Sequence, residues 1–218
     1  MTRLLKRMDL GKSVGAFVAV FSIFVAATIA QAGPLGIGGT LFPVPGEPDP
    51  TGGASVCGPV TFPYATATFS GTLTSNVLSG DPSNPFGPAG LTFTYLLHNN
   101  AASVNVNARL TVTDWTGFLT DASFQAPTVG VRPTYVDRLT PDVVGFSFLS
   151  APIGFGPITP GANSALLVIQ TNATTCVPTI ANVIDGAVAT VNTYGPAPEP
   201  CTIALLGLGG LALIRRRR

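Results

Sequence analysis

Lysine is absent after Lys12, and charge of either sign is scarce: Asp, Glu, Lys and Arg make up 10% of the 218 residues, against roughly 25% in ordinary globular domains. The chain has one histidine, His98, one tryptophan, Trp115, and three cysteines, Cys57, Cys176 and Cys201. A lone histidine with no C-x₂-C or H-x₃-H spacing argues against a zinc site. No Gly-x-Ser-x-Gly elbow accompanies it, so a His-based nucleophilic triad has no sequence support and His98 reads as a strand-end residue. The 25 Gly carry no Gly-X-Y period, which excludes collagen, and an apolar content of 46% excludes a solvated disordered chain.

Few charges does not mean evenly spread charges. Residues 1–32 hold Arg3, Lys6, Arg7 and Lys12 against Asp9, and the chain ends in Arg215, Arg216, Arg217 and Arg218. Between them, residues 33–200 keep only Arg109, Arg132 and Arg138 against nine acids, a balance of −6 that the overall +1 conceals. A lysine-free acidic body offers no electrostatic footprint for nucleic acid.

The N-terminus has the form of a secretory signal. Its basic residues precede an apolar run at 14–29, and Ala30 and Ala32 supply the small residues of a cleavage site. Pro34 and a Gly-rich stretch follow at once, which favours cleavage by signal peptidase after the Sec translocon over a permanent anchor. The C-terminus reads Pro198, Glu199, Pro200, an apolar run at 202–214 and the four arginines. Thirteen helical residues cover about 20 Å, short of the ~30 Å hydrocarbon core. Flanking arginines can snorkel and the bilayer can thin, so the segment is read as a short transmembrane helix with a cytoplasmic stop. A core helix is the alternative, and the terminal cations argue against it.

The body is turn-rich. Residues 33–60 contain 14 Gly or Pro and read as an irregular lead-in, while 80–90 and 151–161 hold six each and read as long surface loops. Between the loops the period is two. Val104, Val106, Ala108, Leu110 and Val112 alternate with Asn105, Asn107, Arg109 and Thr111; Leu91, Phe93, Tyr95 and Leu97 alternate with Thr92 and Thr94. Asn99 and Asn100 lie between these runs and suggest a hairpin. Ala67, Phe69, Gly71 and Leu73 alternate with threonines and Ser70; residues 146–148, 166–169 and 187–191 are further β-prone segments. Six or seven strands without a helical stripe predict an all-β antiparallel β-sandwich, Ig-like or jelly-roll-like, with an up-and-down barrel as the alternative. A signal helix and a short C-terminal helix would flank it.

Other constellations are thin. Asp114, Asp121, Asp137, Asp142 and Asp185 could supply a glycosidase pair, or oxygen ligands for Ca²⁺, though no EF-hand loop is present. The plainer reading has them as turn acids, with Asp137 or Asp114 paired to Arg138 or Arg109. Tyr64, Tyr95, Trp115 and Tyr135 are candidates for a sugar-stacking platform, provided they share a face. In an exported protein, Cys57 and Cys176 are expected to form a disulfide, leaving Cys201 unpaired. Asn172-Ala173-Thr174 matches a glycosylation sequon, read as a coincidence at a strand end.

Pro198-Glu199-Pro200, the short Gly/Leu-rich segment and the Arg run closely resemble the PEP-CTERM sorting signal. The resemblance covers 198–218; Cys201 stands where Ser or Thr is common in that family. It implies a Gram-negative host, export, a precursor held in the inner membrane, and processing near Pro198-Glu199-Pro200 by exosortase, a membrane protease-transpeptidase. The destination implied is the cell surface or the extracellular polymer matrix. The runs 165–173 and 182–186 also resemble bodies of PEP-CTERM proteins of unassigned function. The organisation expected is thus signal peptide 1–32, lead-in 33–60, β-sandwich 61–197 and sorting signal 198–218. The function expected is an exported, biofilm- or exopolysaccharide-associated structural protein, not an enzyme and without a cofactor. The alternatives are a carbohydrate- or Ca²⁺-binding module and, third, an enzyme acting on polysaccharide.

Overall fold

Twelve strands and a single 3₁₀ turn make up the regular structure of the chain in the computed structural model, which describes residues 34–42 and 44–197. The strands are β1 (Gly39–Leu41), β2 (Gly46–Glu47), β3 (Ala54–Ala65), β4 (Ser70–Ser79), β5 (Leu91–Asn99), β6 (Arg109–Val112), β7 (Thr120–Gln125), β8 (Tyr135–Thr140), β9 (Val143–Ser147), β10 (Leu167–Thr171), β11 (Cys176–Asp185) and β12 (Ala187–Pro196). They form two six-stranded sheets, ordered β1-β8-β9-β6-β11-β12 and β2-β7-β10-β5-β4-β3. The expected all-β, two-sheet architecture is present. All pairings are antiparallel except β2 with β7, so the second sheet is mixed. No helix among the described residues is long and apolar enough to cross a membrane. The expected signal and C-terminal helices, with Ala30, Ala32, Pro198, Glu199, Pro200, Cys201 and Arg215 to Arg218, lie outside the described residues.

The period-two pattern places the core between the sheets. Phe93, Tyr95 and Leu97 of β5 and Leu73 and Val77 of β4 face Leu110 and Val112 of β6, Phe146 of β9 and Val183 of β11 in one apolar cluster. Trp115 sits fully buried in it, edge-on to Phe93 with ring centroids 5.3 Å apart. Each such side chain stabilises by roughly 1.5–3 kcal/mol. The 166–169 run becomes β10, flanked by β7 and β5 and buried along its whole length, as a continuous apolar run in a central strand requires.

Two expectations fail. The hairpin joining 91–97 to 104–112 does not exist: β5 and β6 belong to different sheets. Asn99 is why. Its amide group donates to the Asn105 and Ile158 carbonyls, 3.0 Å each, and holds the chain in a crossover between sheets. The alternating run at 104–108 is spent in that crossover, with Val104 exposed, and the strand is only Arg109–Val112. The 33–60 segment is not an irregular lead-in either. It supplies β1 to one sheet, β2 to the other and half of β3, and buries Leu35 and Val44 in the core. Pro59 lies within β3, an edge strand, where a missing N–H need cost no ladder bond.

Candidate functional site

The scarce charges are mostly spent inside the fold. Arg109 on β6 reaches across β9 to β8, where its Nη1 and Nη2 grip the Asp137 carboxylate at 2.6 and 2.8 Å. It can do so because Gly145 lies beneath the guanidinium; a Cβ there would collide with it. Ser147 Oγ accepts a further bond from Nη1. Arg138 is buried and donates to the carbonyls of Trp115 (2.6 Å), Phe118 (2.8 Å) and Pro141 (2.8 Å), clamping the loop that carries Trp115. Arg109 and Asp137 therefore pair as the residue types suggested, while Asp114 pairs with neither arginine. It has φ +72°, accepts from Thr179 Oγ1, and its amide donates to Asp142 Oδ1 at 3.1 Å.

Three more acids are buried, Glu47, Asp81 and Asp121. Asp81 follows the αL glycine Gly80 and accepts four bonds: from Thr92 Oγ1 (2.7 Å), Gln170 Nε2 (2.9 Å), and the Ser83 amide (2.9 Å) and hydroxyl (2.7 Å). Burial raises its pKa, but the donors from Ser83, Gln170 and Thr92 outweigh this and hold the carboxyl below its ordinary value. The loop at 80–90 is thereby latched onto β5 and β10. Asp121 on β7 faces the opposite outcome. Burial pushes its carboxyl up to about 7; the nearby Glu47 charge adds to the shift and the Ala122 amide offsets part of it. Asp185 stands at the end of β11. Among the described residues no group of three or more His, Cys, Asp or Glu comes together to hold a metal.

The stacking platform is corrected. Tyr64, Tyr95 and Trp115 are core residues, 4%, 0% and 0% exposed. The two tyrosine hydroxyls are used internally, Tyr64 Oη donating to the His98 carbonyl (2.7 Å) and Tyr95 Oη to the Tyr194 carbonyl (2.8 Å). A charge-poor, turn-rich body needs its largest side chains to fill the space between sheets, and burying Tyr is tolerable once its hydroxyl is paired. Tyr135 alone reaches the surface, in a groove of about 290 Å³ lined with Thr40, Phe42, Leu149 and Ile153. Phe42 and Ile153 are 60% and 66% exposed. Beyond the same loop, Arg132 lies 3.4 Å over the Phe155 ring. Sequence reading did not single out Phe42 or the Arg132–Phe155 stack, since isolated apolar residues in Gly/Pro-rich loops carry no period. Asp81 was legible in principle: Asp-Pro-Ser after a glycine is an Asx-turn signal.

His98 Nδ1 contacts Asn163 Oδ1 at 2.7 Å, where a second amide rather than a nucleophile or an acid is its neighbour. Asn172 of the sequon accepts the Leu119 amide at 2.8 Å. Cys57 on β3 and Cys176 on β11 form a disulfide with Cα atoms 6.7 Å apart, joining the two sheets. Cys176 pairs with Pro196 across the β11–β12 ladder, and the Ala197 amide donates to the Thr175 carbonyl at 2.9 Å. The backbone of the body is therefore hydrogen-bonded as far as Ala197, which precedes Pro198 in the sequence.

No curated protein and no solved structure matches the chain. Residues 196–218 match the family model of the PEP-CTERM protein-sorting motif, so the chain carries that motif directly on the end of its last strand, β12.

Proposed function

We propose that the chain is an exported protein, processed by exosortase and retained at the cell surface or in the extracellular polymer matrix as a structural component without catalytic activity. The sorting motif at 196–218 carries this reading. Its tripartite order, with Pro198-Glu199-Pro200 between a folded body and an apolar segment capped by arginines, fits a precursor held in the inner membrane until cleaved. The internal use of Arg109, Arg138, Asp81 and Asp137 supports the structural role, because charges committed to loops and strands are not free for acid–base work. Cell fractionation in hosts with and without exosortase tests it. Surface or medium release is expected with the enzyme, and membrane retention without it or with Glu199→Ala. Equal release in every case refutes the reading.

A second reading is favoured by the groove at Phe42 and Tyr135. An exposed Phe42 with a half-buried Tyr135 beside threonine suits the apolar face of a neutral sugar, with Ca²⁺ not required. Retention on host exopolysaccharide, unchanged by chelator and lost in Phe42→Ala, is the expected result; no retention removes it.

A further inference from the structure

A sheet edge is a row of unpaired N–H and C=O groups, and proteins blunt it with shortness, proline, bulges or charge. The two sheets here have four edges. β1 is three residues long and β2 two. β3 is twelve residues long but carries Pro59 and Pro63 and two register shifts, between Ser55 and Cys57 and between Cys57 and Val60. β12 is the exception. It runs ten residues, pairs with β11 in unbroken register from Ala187 to Pro196, has no proline before its last position and holds no charged residue. Apart from its ladder with β11, the one bond made to its backbone among the described residues is that of Tyr95 Oη to the Tyr194 carbonyl. The Tyr194 end also lies beside the disulfide and β3. The half beyond it, 187–192, presents Val188, Thr190 and Asn192 to solvent on its outer face, Val188 at 60% exposure.

We infer that the 187–192 half of β12 is an association edge, and that its partner is the same strand of a second copy of this chain, paired antiparallel about a twofold axis. The strand fits itself. A twofold axis near Thr190 sets Val188 of one copy against Asn192 of the other, with Thr190 against Thr190, and no like charges meet although each body carries a balance of −6. The opposite edge of the same sheet is only β1, so the joined sheet has no further long edge to extend from. The assembly therefore stops at a dimer. This inference does not depend on the sorting reading.

The test uses the full chain in mild detergent. Sedimentation is expected to show a monomer–dimer equilibrium, and amide exchange across 187–192 to slow as protein concentration rises. Val188→Lys with Asn192→Lys sets cations on the edge at exposed positions and should weaken the dimer about tenfold or more, with circular dichroism and Trp115 emission unchanged. A monomer at every concentration, assembly beyond a dimer, or a dimer indifferent to the double variant overturns the inference. If the variant does not fold, amide exchange in the unaltered chain decides: protection of 187–192 that is independent of concentration also overturns it.

Discussion

Removing the Cys57–Cys176 bond is the perturbation whose size the structure best defines. The disulfide closes 119 residues of chain and ties β3 to β11, hence one sheet to the other. In the chain-entropy treatment, opening a loop of that length returns about 5 kcal/mol of freedom to the unfolded state, and this is an upper figure because real unfolded chains keep some structure. Against a typical stability of about 5–15 kcal/mol, the loss is a third or more of the total. For a body of this size it corresponds to a fall in Tm of roughly 10–20 °C. Cys57→Ala with Cys176→Ala is to be compared with the oxidised chain in urea, following Trp115, the one tryptophan and a fully buried one. Two changes are expected together. The midpoint falls, and the slope of free energy on urea rises, because the uncrosslinked unfolded chain exposes more surface. A variant with the same midpoint and the same slope would refute the account of the bond as a restraint on the unfolded state.

Three further outcomes follow from buried polar groups and one close approach. Asp121, with a folded pKa near 7 against about 3.9 unfolded, holds more protons folded than unfolded, so its contribution is full below about pH 3.9 and is lost as pH rises towards 7. Stability measured from pH 4 to 7 should fall more steeply in the parent than in Asp121→Asn; parallel profiles would contradict the assignment. Asp81 has the opposite sign, its contribution being present above the unfolded pKa and lost as pH drops below it; Asp81→Ala leaves Thr92, Gln170 and Ser83 donors unpaired and should cost about 3 kcal/mol in urea unfolding. Gly71 on β4 lies under the Tyr64 hydroxyl and against the His98 carbonyl, where backbone cannot yield. Gly71→Ala should lose about 3 kcal/mol or more, and a loss under about 1 kcal/mol would show that β4 and β5 can part there at little cost.

How much of this was legible in the sequence depends on the range of the force concerned. Strands β4, β5, β10 and β12 were visible because burial of one face imprints a local period, and the turn-rich loops at 80–90 and 151–161 because Gly and Pro act where they stand. The first half of strand β3 was hidden because Gly58 and Pro59 fall in a Gly/Pro-rich stretch that reads as irregular until the strand is seen to lie on an edge. Trp115 and Tyr64 read as a surface platform, since an aromatic ring carries the same local signal whether it stacks on a sugar or fills a core.

The sorting address is a linear property. Pro198-Glu199-Pro200, the apolar run and the arginines act through their order along the chain, so sequence alone is enough to recognise them. Pairing is a property of space. Whether Arg109 meets Asp137 across a glycine, whether Asp81 collects four donors, and which of four edges is left open depend on strand order between residues tens of positions apart. Local periodicity cannot encode that order, because every strand of a sandwich satisfies the same alternation and only the packing of both sheets around one core selects the neighbour.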